Sequence, residues 1–502
     1  MKKIKSMFPD RKRAAGAGIK ILQFGEGNFL RGFVDEMIDS AVEKGLMNAE
    51  IIIVKPRKGA LAEAFREQDC YYTTSLRDKD QVRDRIIKCV SAAYSCYEDY
   101  SDFMKLTKDK DLRFIVSNTT EAGIVFDEKD SFCSEPPASF PGKLAKFLYY
   151  RYKAFDGDKN AGVIILPVEL IDDNGAVLKD CIKKLSHKWG LGEGFDRWLD
   201  EACIFCSTLV DRIISGYPSD EAEILCEEWG YRDELIVVGE LFGLWVIEPE
   251  KDISEELPLD KAGLPVIYTD NIKPYKKRKV RILNGAHTSF ALAAYLMGCK
   301  TVIEVMSDKV IKAFTKSLLY EEVIPTIEMD ESSLKEFADS VLERFGNPYI
   351  RHEISAIALN SVSKWKTRCL GTMLDYIDIY GRLPIRLTFS LAALLVYYRG
   401  KTDEDGIYRG TVNIDGYDVR YEIRDEKSVT DIFRNAAELE PEEYVHKILS
   451  KDELWGMNLL GINGLEEKVA ELVKRIIRDP VEAMADVNMC EVDQKTYEGT
   501  ED

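Results

Sequence analysis

Residues Ile19 to Phe33, IKILQFGEGNFLRGF, constrain the fold of this chain more than any other stretch. Ile19, Ile21, Leu22 and Phe24 read as a buried strand that breaks at Gly25-Glu26-Gly27-Asn28-Phe29-Leu30-Arg31, after which Phe33, Val34, Met37 and Ile38 recur at helical spacing. A strand, a glycine turn and a helix start aim backbone N–H groups and a helix N-terminus at one point, the geometry that receives a pyrophosphate. Phe24, Gly25, Glu26, Gly27, Asn28, Phe29, Leu30 and Arg31 are therefore candidate dinucleotide contacts. The third glycine of G-x-G-x-x-G is missing, because Leu30 stands in its place, so the turn alone is equally compatible with an ordinary tight bend.

Further strands of the same kind lie downstream. Ile51-Ile52-Ile53-Val54 reads as a second strand and leads into Lys55-Pro56-Arg57. Where many NAD-binding sheets carry an acidic residue for the ribose 2′-hydroxyl, this chain is basic, which by electrostatics suits a 2′-phosphate and leaves NAD against NADP open. Phe114-Ile115-Val116 reads as another strand, ending in Ser117-Asn118-Thr119-Thr120-Glu121-Ala122-Gly123, and Val163 to Val168 as one more, ending in Glu169-Leu170-Ile171-Asp172-Asp173-Asn174-Gly175. Small polar residues beyond the carboxyl ends of parallel strands are where an open α/β sheet holds its ligand, which adds Asn118, Thr119 and Thr120 to the cofactor candidates. The expected fold class is α/β, with a Rossmann-type doubly wound N-terminal domain over residues 1–267 and a mostly α-helical C-terminal domain over 268–502. Within the helical half, alternation around Asp415-Gly416 predicts a β-hairpin over Gly410 to Arg424. The polar, acidic tail from Ala485 is expected to fray.

A chain of 502 residues exceeds one core, which agrees with two domains. Its net charge of −19 argues against a nucleic-acid binder, and an anionic small substrate needs a local basic pocket. The basic N-terminus lacks the apolar stretch of a secretory signal, and the apolar run Leu391 to Tyr398 is far too short for a membrane span and reads as a buried core helix. The expectation is a cytoplasmic protein without membrane or nucleic-acid partners. Eleven cysteines without export context fit a reducing compartment. Cys203 and Cys206 form a C-x-x-C, but with four histidines in the chain and no second pair at zinc-like spacing, no metal site is expected.

The candidate catalytic stretch is Tyr275 to Gly298, YKKRKVRILNGAHTSFALAAYLMG. On a continuous α-helix His287 lies about 80° around the axis from Lys279 and Asn284 about 140°. One face then presents an amine, an amide and an imidazole, while Phe290 to Leu296 bury the remainder. A lysine and an asparagine on a helix ordinarily face solvent, and a lone histidine is ordinarily structural, so spacing by itself does not decide the matter. A second basic group, Asn360-Ser361-Val362-Ser363-Lys364-Trp365-Lys366-Thr367-Arg368, supplies lysines and an arginine suited to a carboxylate.

Taken together, QFGEGNFLRGFVD, FIVSNTTEAG, ELIDDNG, FCSTLVDRI, KPYKKRKVRILNGAHT, RFGNPYIRHEISAIALNSVSKWKTR and LPIRLTFSLAAL occur in an order that resembles the polyol-specific long-chain dehydrogenases typified by mannitol dehydrogenase, over roughly residues 18 to 400. The resemblance implies a zinc-independent hydride transfer with NAD in the cleft between the two domains. It places the K-x-x-x-x-N-x-x-H motif on Lys279, Asn284 and His287, with Lys279 as general acid/base, and the substrate-contacting lysine on Lys364, beside Arg368. Two departures stand out: Leu170 occupies the position of a second asparagine, with Asn174 four residues on, and Lys276 replaces a glutamate, which suits an acid-bearing sugar. Lys276, Lys277, Arg278 and Arg281 are the cations expected to lower the pKa of Lys279. The implied reaction is NADH-linked reduction of tagaturonate to altronate in hexuronate catabolism. Fructuronate reduction, mannitol-type oxidation and a dinucleotide sensor without catalysis remain open, as does the oligomeric state.

Overall fold

The strand Ile19–Phe24 lies inside a six-stranded parallel sheet of the computed structural model, which describes residues 1–8, 18–119, 123–350, 352–414 and 416–489. Across the sheet the order is Val90–Ser95, Ala49–Lys55, Ile19–Phe24, Leu112–Ser117, Ile164–Pro167, Ile204–Phe205. The chain thus runs outward to one edge, returns, and runs outward to the other, placing the reversal between Ile19–Phe24 and Leu112–Ser117, where doubly wound sheets bind nucleotides. Phe24 pairs with Val54 on one side and with Ser117 on the other, so three strand ends meet at the glycine turn.

Strand alternation sends alternate residues into two cores. Ile21, Ile51, Ile53, Phe114 and Val116 pack with Leu30, Phe33, Val34 and Met37 of the helix Asn28–Glu43. Leu22, Phe24, Ile52, Val54 and Ile115 pack on the other face with Leu144 and Leu148 of the helix Phe140–Ala154 and with Leu178 and Ile182 of Asn174–Trp189. With both faces covered, the strands are apolar almost throughout, which is why they were legible.

A second sheet, Ile214–Gly216, Val237–Glu240, Tyr72–Arg77 and Val82–Ile87, was not expected from the sequence. Its central strand carries Thr73, Thr74 and Ser75, all fully buried, a composition that mimics a loop. Asp233 makes that burial tolerable, its carboxylate accepting the Thr73 N–H at 2.6 Å, while the Thr73 hydroxyl lies 3.0 Å from the Tyr231 hydroxyl.

The chain divides into two compact units, Met1–Ile272 and Lys273–Asp502. The second is mostly helical and centred on Gly285–Leu296, packed by Ile385–Tyr398, whose Leu391–Tyr398 stretch is a core segment. The hairpin pairs Tyr408–Ile414 with Tyr417–Glu422, joining Ile414 to Tyr417, while Asp415 lies outside the described residues. Ala485 to Met489 belong to the helix Pro480–Met489 and do not begin a frayed tail, and residues 490–502 lie outside the described residues. Among the described residues no helix is long and apolar enough to cross a membrane.

Candidate active site

Gly25 takes φ +137°, a conformation that side chains other than glycine's rarely adopt, and donates its N–H to Val54 O at 2.9 Å. A Cβ there would meet Leu30 Cδ1 at 2.8 Å. Leu30 therefore fills the space beneath the turn, which accounts for the missing third glycine. Around the absent Cβ of Gly27 there is nothing within 4 Å, leaving an open cradle at the N-terminus of Asn28–Glu43, a helix that no side chain caps. Backbone N–H groups and the positive end of the helix dipole face that opening, which fits the pyrophosphate of a dinucleotide.

The side chains of the turn mostly face inward. Phe24 packs edge-on against Phe103 and Phe140, and Phe29 stacks on Phe33 at 5.1 Å. Arg31 is buried and donates to Glu26 O (3.1 Å), Asn28 Oδ1 (2.6 Å) and Leu235 O (2.5 Å). It braces the turn from within. At the neighbouring strand end, Glu169 Oε1 accepts from the Thr119 N–H and hydroxyl at 2.9 and 3.0 Å, and Asn118 Nδ2 donates to Val168 O. Thr120 and Glu121 lie outside the described residues. Asn174 is buried, donates to Pro167 O, Glu169 O and Thr208 O, and accepts from Thr208 N–H, so its amide ties the end of Ile164–Pro167 to the strand Ser207–Asp211. Leu170 is exposed. Arg212 is likewise internal, donating to Gly32 O and Phe242 O.

In the second unit the stretch expected to be one α-helix is interrupted. Lys273–Arg278 is α-helical, Lys279–Asn284 is a π-helical turn with Gly285 N–H donating to Val280 O, and Gly285–Leu296 resumes the α-helix. A π turn closes bonds between residues five apart, so Lys279 and Asn284 stack closer to one face than the 140° of an unbroken helix. A second π turn, Lys366–Leu370, follows the short helix Ser361–Trp365. The two turns meet where Gly285 has no side chain: a Cβ would stand 3.4 Å from both Arg368 O and Val280 O. Arg368 Nη1 donates to Thr288 Oγ1 at 3.3 Å, and Thr288 Oγ1 donates to Asn284 O at 2.9 Å, linking the second basic group to the first.

His287 is the centre of this arrangement. Its ring packs on Phe345 at 4.2 Å and edge-on against His352 at 5.0 Å, and its Nε2 is buried without a hydrogen-bond partner among the described residues. Burial, then His352, Arg344, Arg368 and Lys364, hold its pKa well below the usual histidine value, so the ring is neutral at pH 7. Lys364 donates to Ile357 O at 2.8 Å, and burial followed by the charge of Arg368 keeps its amine below the usual lysine range. Lys276, in the helix preceding the π turn, is depressed by burial. Lys279 and Asn284 are half-buried.

Two of the four cations expected around Lys279 are engaged by one carboxylate. Asp375 binds Lys277 at 3.3 Å and Arg281 at 2.7 Å, and although burial opposes it, those two partners hold its carboxyl below the usual range. Arg278 is buried against the ring of Phe337, 4.4 Å from its centre. His352 and Arg344 were missed because no regular spacing connects them to Lys279, only the tertiary packing around Phe345. Cys203 and Cys206 are buried thiols, pushed up to about 12 chiefly by burial. No group of three or more metal-ligating side chains occurs among the described residues.

Sequence models of the mannitol dehydrogenase Rossmann domain and the mannitol dehydrogenase C-terminal domain match residues 19–261 and 271–477. An altronate oxidoreductase of Bacillus subtilis (strain 168) is 40% identical over 464 residues, covering 91% of this chain and 92% of that protein. One of Escherichia coli O7:K1 is 41% identical over 470 residues, covering 91% and 94%. Among solved structures, a substrate-free D-sorbitol dehydrogenase superposes with a TM-score of 0.77 at 23% identity, covering 93% of this chain and 95% of that one. The Pseudomonas fluorescens mannitol 2-dehydrogenase complex with NAD and D-mannitol gives 0.63 at 20%, covering 95% of both. The two domain models in sequence, and relatives of this identity across nearly the whole length, place the chain in the mannitol dehydrogenase family.

Proposed function

We propose that the protein is an altronate oxidoreductase, interconverting altronate with NAD and tagaturonate with NADH in the cytoplasm. The observation that carries the substrate class is the set of basic groups near His287: beyond burial, His352, Arg344, Arg368 and Lys364 all lower its pKa, and such a field favours a carboxylate-bearing sugar. The relatives named altronate oxidoreductase support the same reading.

When bound, NADH supplies the hydride, and the open cradle at Gly25 and Gly27 with the uncapped helix start would hold its pyrophosphate. Lys279 donates the proton to the ketone oxygen in reduction and its neutral amine takes the alcohol proton in oxidation. Asn284, stacked near it by the π turn, donates its amide to the oxygen on which charge develops. Neutral His287 offers Nε2 to a neighbouring hydroxyl of the sugar, satisfying an atom the protein leaves unpaired. Lys364 and Arg368 bind the carboxylate, Arg368 with its guanidinium steadied on Thr288.

The test is NADH oxidation by purified protein with tagaturonate, fructuronate and fructose at equal concentration. Tagaturonate preferred by about a hundredfold in kcat/KM is expected, since the ketoacid configuration and its charge are both read. Equal or faster turnover of either rival would overturn the substrate assignment. Dinucleotide binding without turnover on all three would indicate a sensor.

A further inference from the structure

The second strand of this sheet ends on a cation, Lys55, where a carboxylate ordinarily reads the adenosine ribose. Taken from sequence alone, that cation invites a 2′-phosphate. In the structure Lys55 is engaged: its Nζ donates to Ala60 O at 2.9 Å and stands 3.9 Å from Glu26 Oε1, with both side chains mostly buried. Glu26 lies between the two glycines of the turn, and because Gly25 N–H bonds Val54 O, the turn is held against the end of the second strand. The carboxylate is thereby carried across to the place where that strand lacks one. Tyr97, just beyond the third strand Val90–Ser95, completes this corner, with Lys58 Nζ and Lys143 Nζ 6.0 and 5.3 Å from its ring centre. Lys143 is itself tied to Ala138 O at 2.6 Å.

We propose that Glu26 is the residue that reads the adenosine ribose and rejects a 2′-phosphate, with Lys55 as its positioning partner. The inference rests on the reading of the glycine turn as a dinucleotide site. A ribose 2′-hydroxyl donates to the Glu26 carboxylate, whereas a 2′-phosphate meets it as a like charge, and such juxtapositions discriminate by repulsion. Remove the Glu26 charge, and Lys55, with Arg57 and Lys58 beside it in sequence, becomes a phosphate site.

The experiment is fluorescence titration of NADH and NADPH into the wild-type protein, Glu26→Gln, and Glu26→Gln combined with Lys55→Met. Wild type is expected to bind NADH more tightly than NADPH by about tenfold or more. Glu26→Gln is expected to bring the two within about threefold, chiefly by tightening NADPH, and the added Lys55→Met to abolish that gain. A loss of fold cannot imitate a selective gain in NADPH affinity. An unchanged ratio in Glu26→Gln, or a wild type indifferent to the 2′-phosphate, would overturn the proposal while leaving the dinucleotide site in place. A wild type that binds neither would remove both the proposal and the reading beneath it.

Discussion

At the glycine turn the side chains that look like ligands are largely engaged inside the protein, whereas around His287 a buried nitrogen is left without a partner. Arg31 braces the turn through Glu26 O, Asn28 Oδ1 and Leu235 O, and beside Gly27 the backbone is open. In the second unit, two π turns place side chains, and His287 Nε2 is unsatisfied in a basic surround. On the proposed reading the difference separates binding from chemistry: the first region offers an opening formed by glycine and backbone, the second a cluster of particular side chains.

The largest expected effect breaks the chemistry alone. Lys279→Ala should lower kcat by about 100-fold or more, the range for loss of a general acid/base, while NADH binding followed by fluorescence stays within about twofold. Retention of more than about a tenth of the wild-type rate would remove Lys279 from the proton-transfer role. Asn284→Ala should cost on the order of 3 kcal/mol in kcat/KM, the scale of one oxyanion donor, again without weakening NADH. A matching loss of dinucleotide affinity would contradict the separation.

Gly25→Ala probes the other side. It forces a Cβ onto Leu30 at a strained φ, so NADH affinity should fall about tenfold while kcat at saturating NADH changes little. A separate effect, on stability with no change in kcat, belongs to Asp35, in the helix that starts at the turn. Its carboxylate accepts from the Tyr72 hydroxyl at 2.5 Å, and burial pushes its pKa from 3.8 up to about 7. An acid raised in the folded state holds a proton there that the unfolded chain has already lost, so its contribution to stability is present below 3.8 and is lost as pH rises to about 7. Denaturant titrations of wild type and Asp35→Asn should therefore diverge with rising pH, by at most about 4 kcal/mol in favour of the variant, with kcat unaltered. Parallel curves would mean that Asp35 stays ionised.

The sheet and the glycine turn were legible because parallel strands buried on both faces are continuous apolar runs and a turn of this kind needs glycine where φ is positive. Tyr72–Arg77 was not, since Thr73, Thr74 and Ser75 read as a loop, and the partners of Thr73, Asp233 and Tyr231, are distant in sequence. The phasing of Lys279, Asn284 and His287 was not legible, because a π turn leaves no periodic signal. Lys277 and Arg281 looked like free cations until Asp375, nearly a hundred residues on, was brought beside them. His352 could be found in sequence only as a histidine, and its place against His287 comes from packing.

The central claim, that the basic group around His287 reads a substrate carboxylate, is tested most directly by Lys364→Met, comparing kcat/KM on tagaturonate with kcat/KM on fructose at saturating NADH. A loss of about 30-fold on the acid is expected, the size of one charge-assisted hydrogen bond, with little change on the neutral ketose. An equal loss on both would make Lys364 a structural residue and contradict the carboxylate reading.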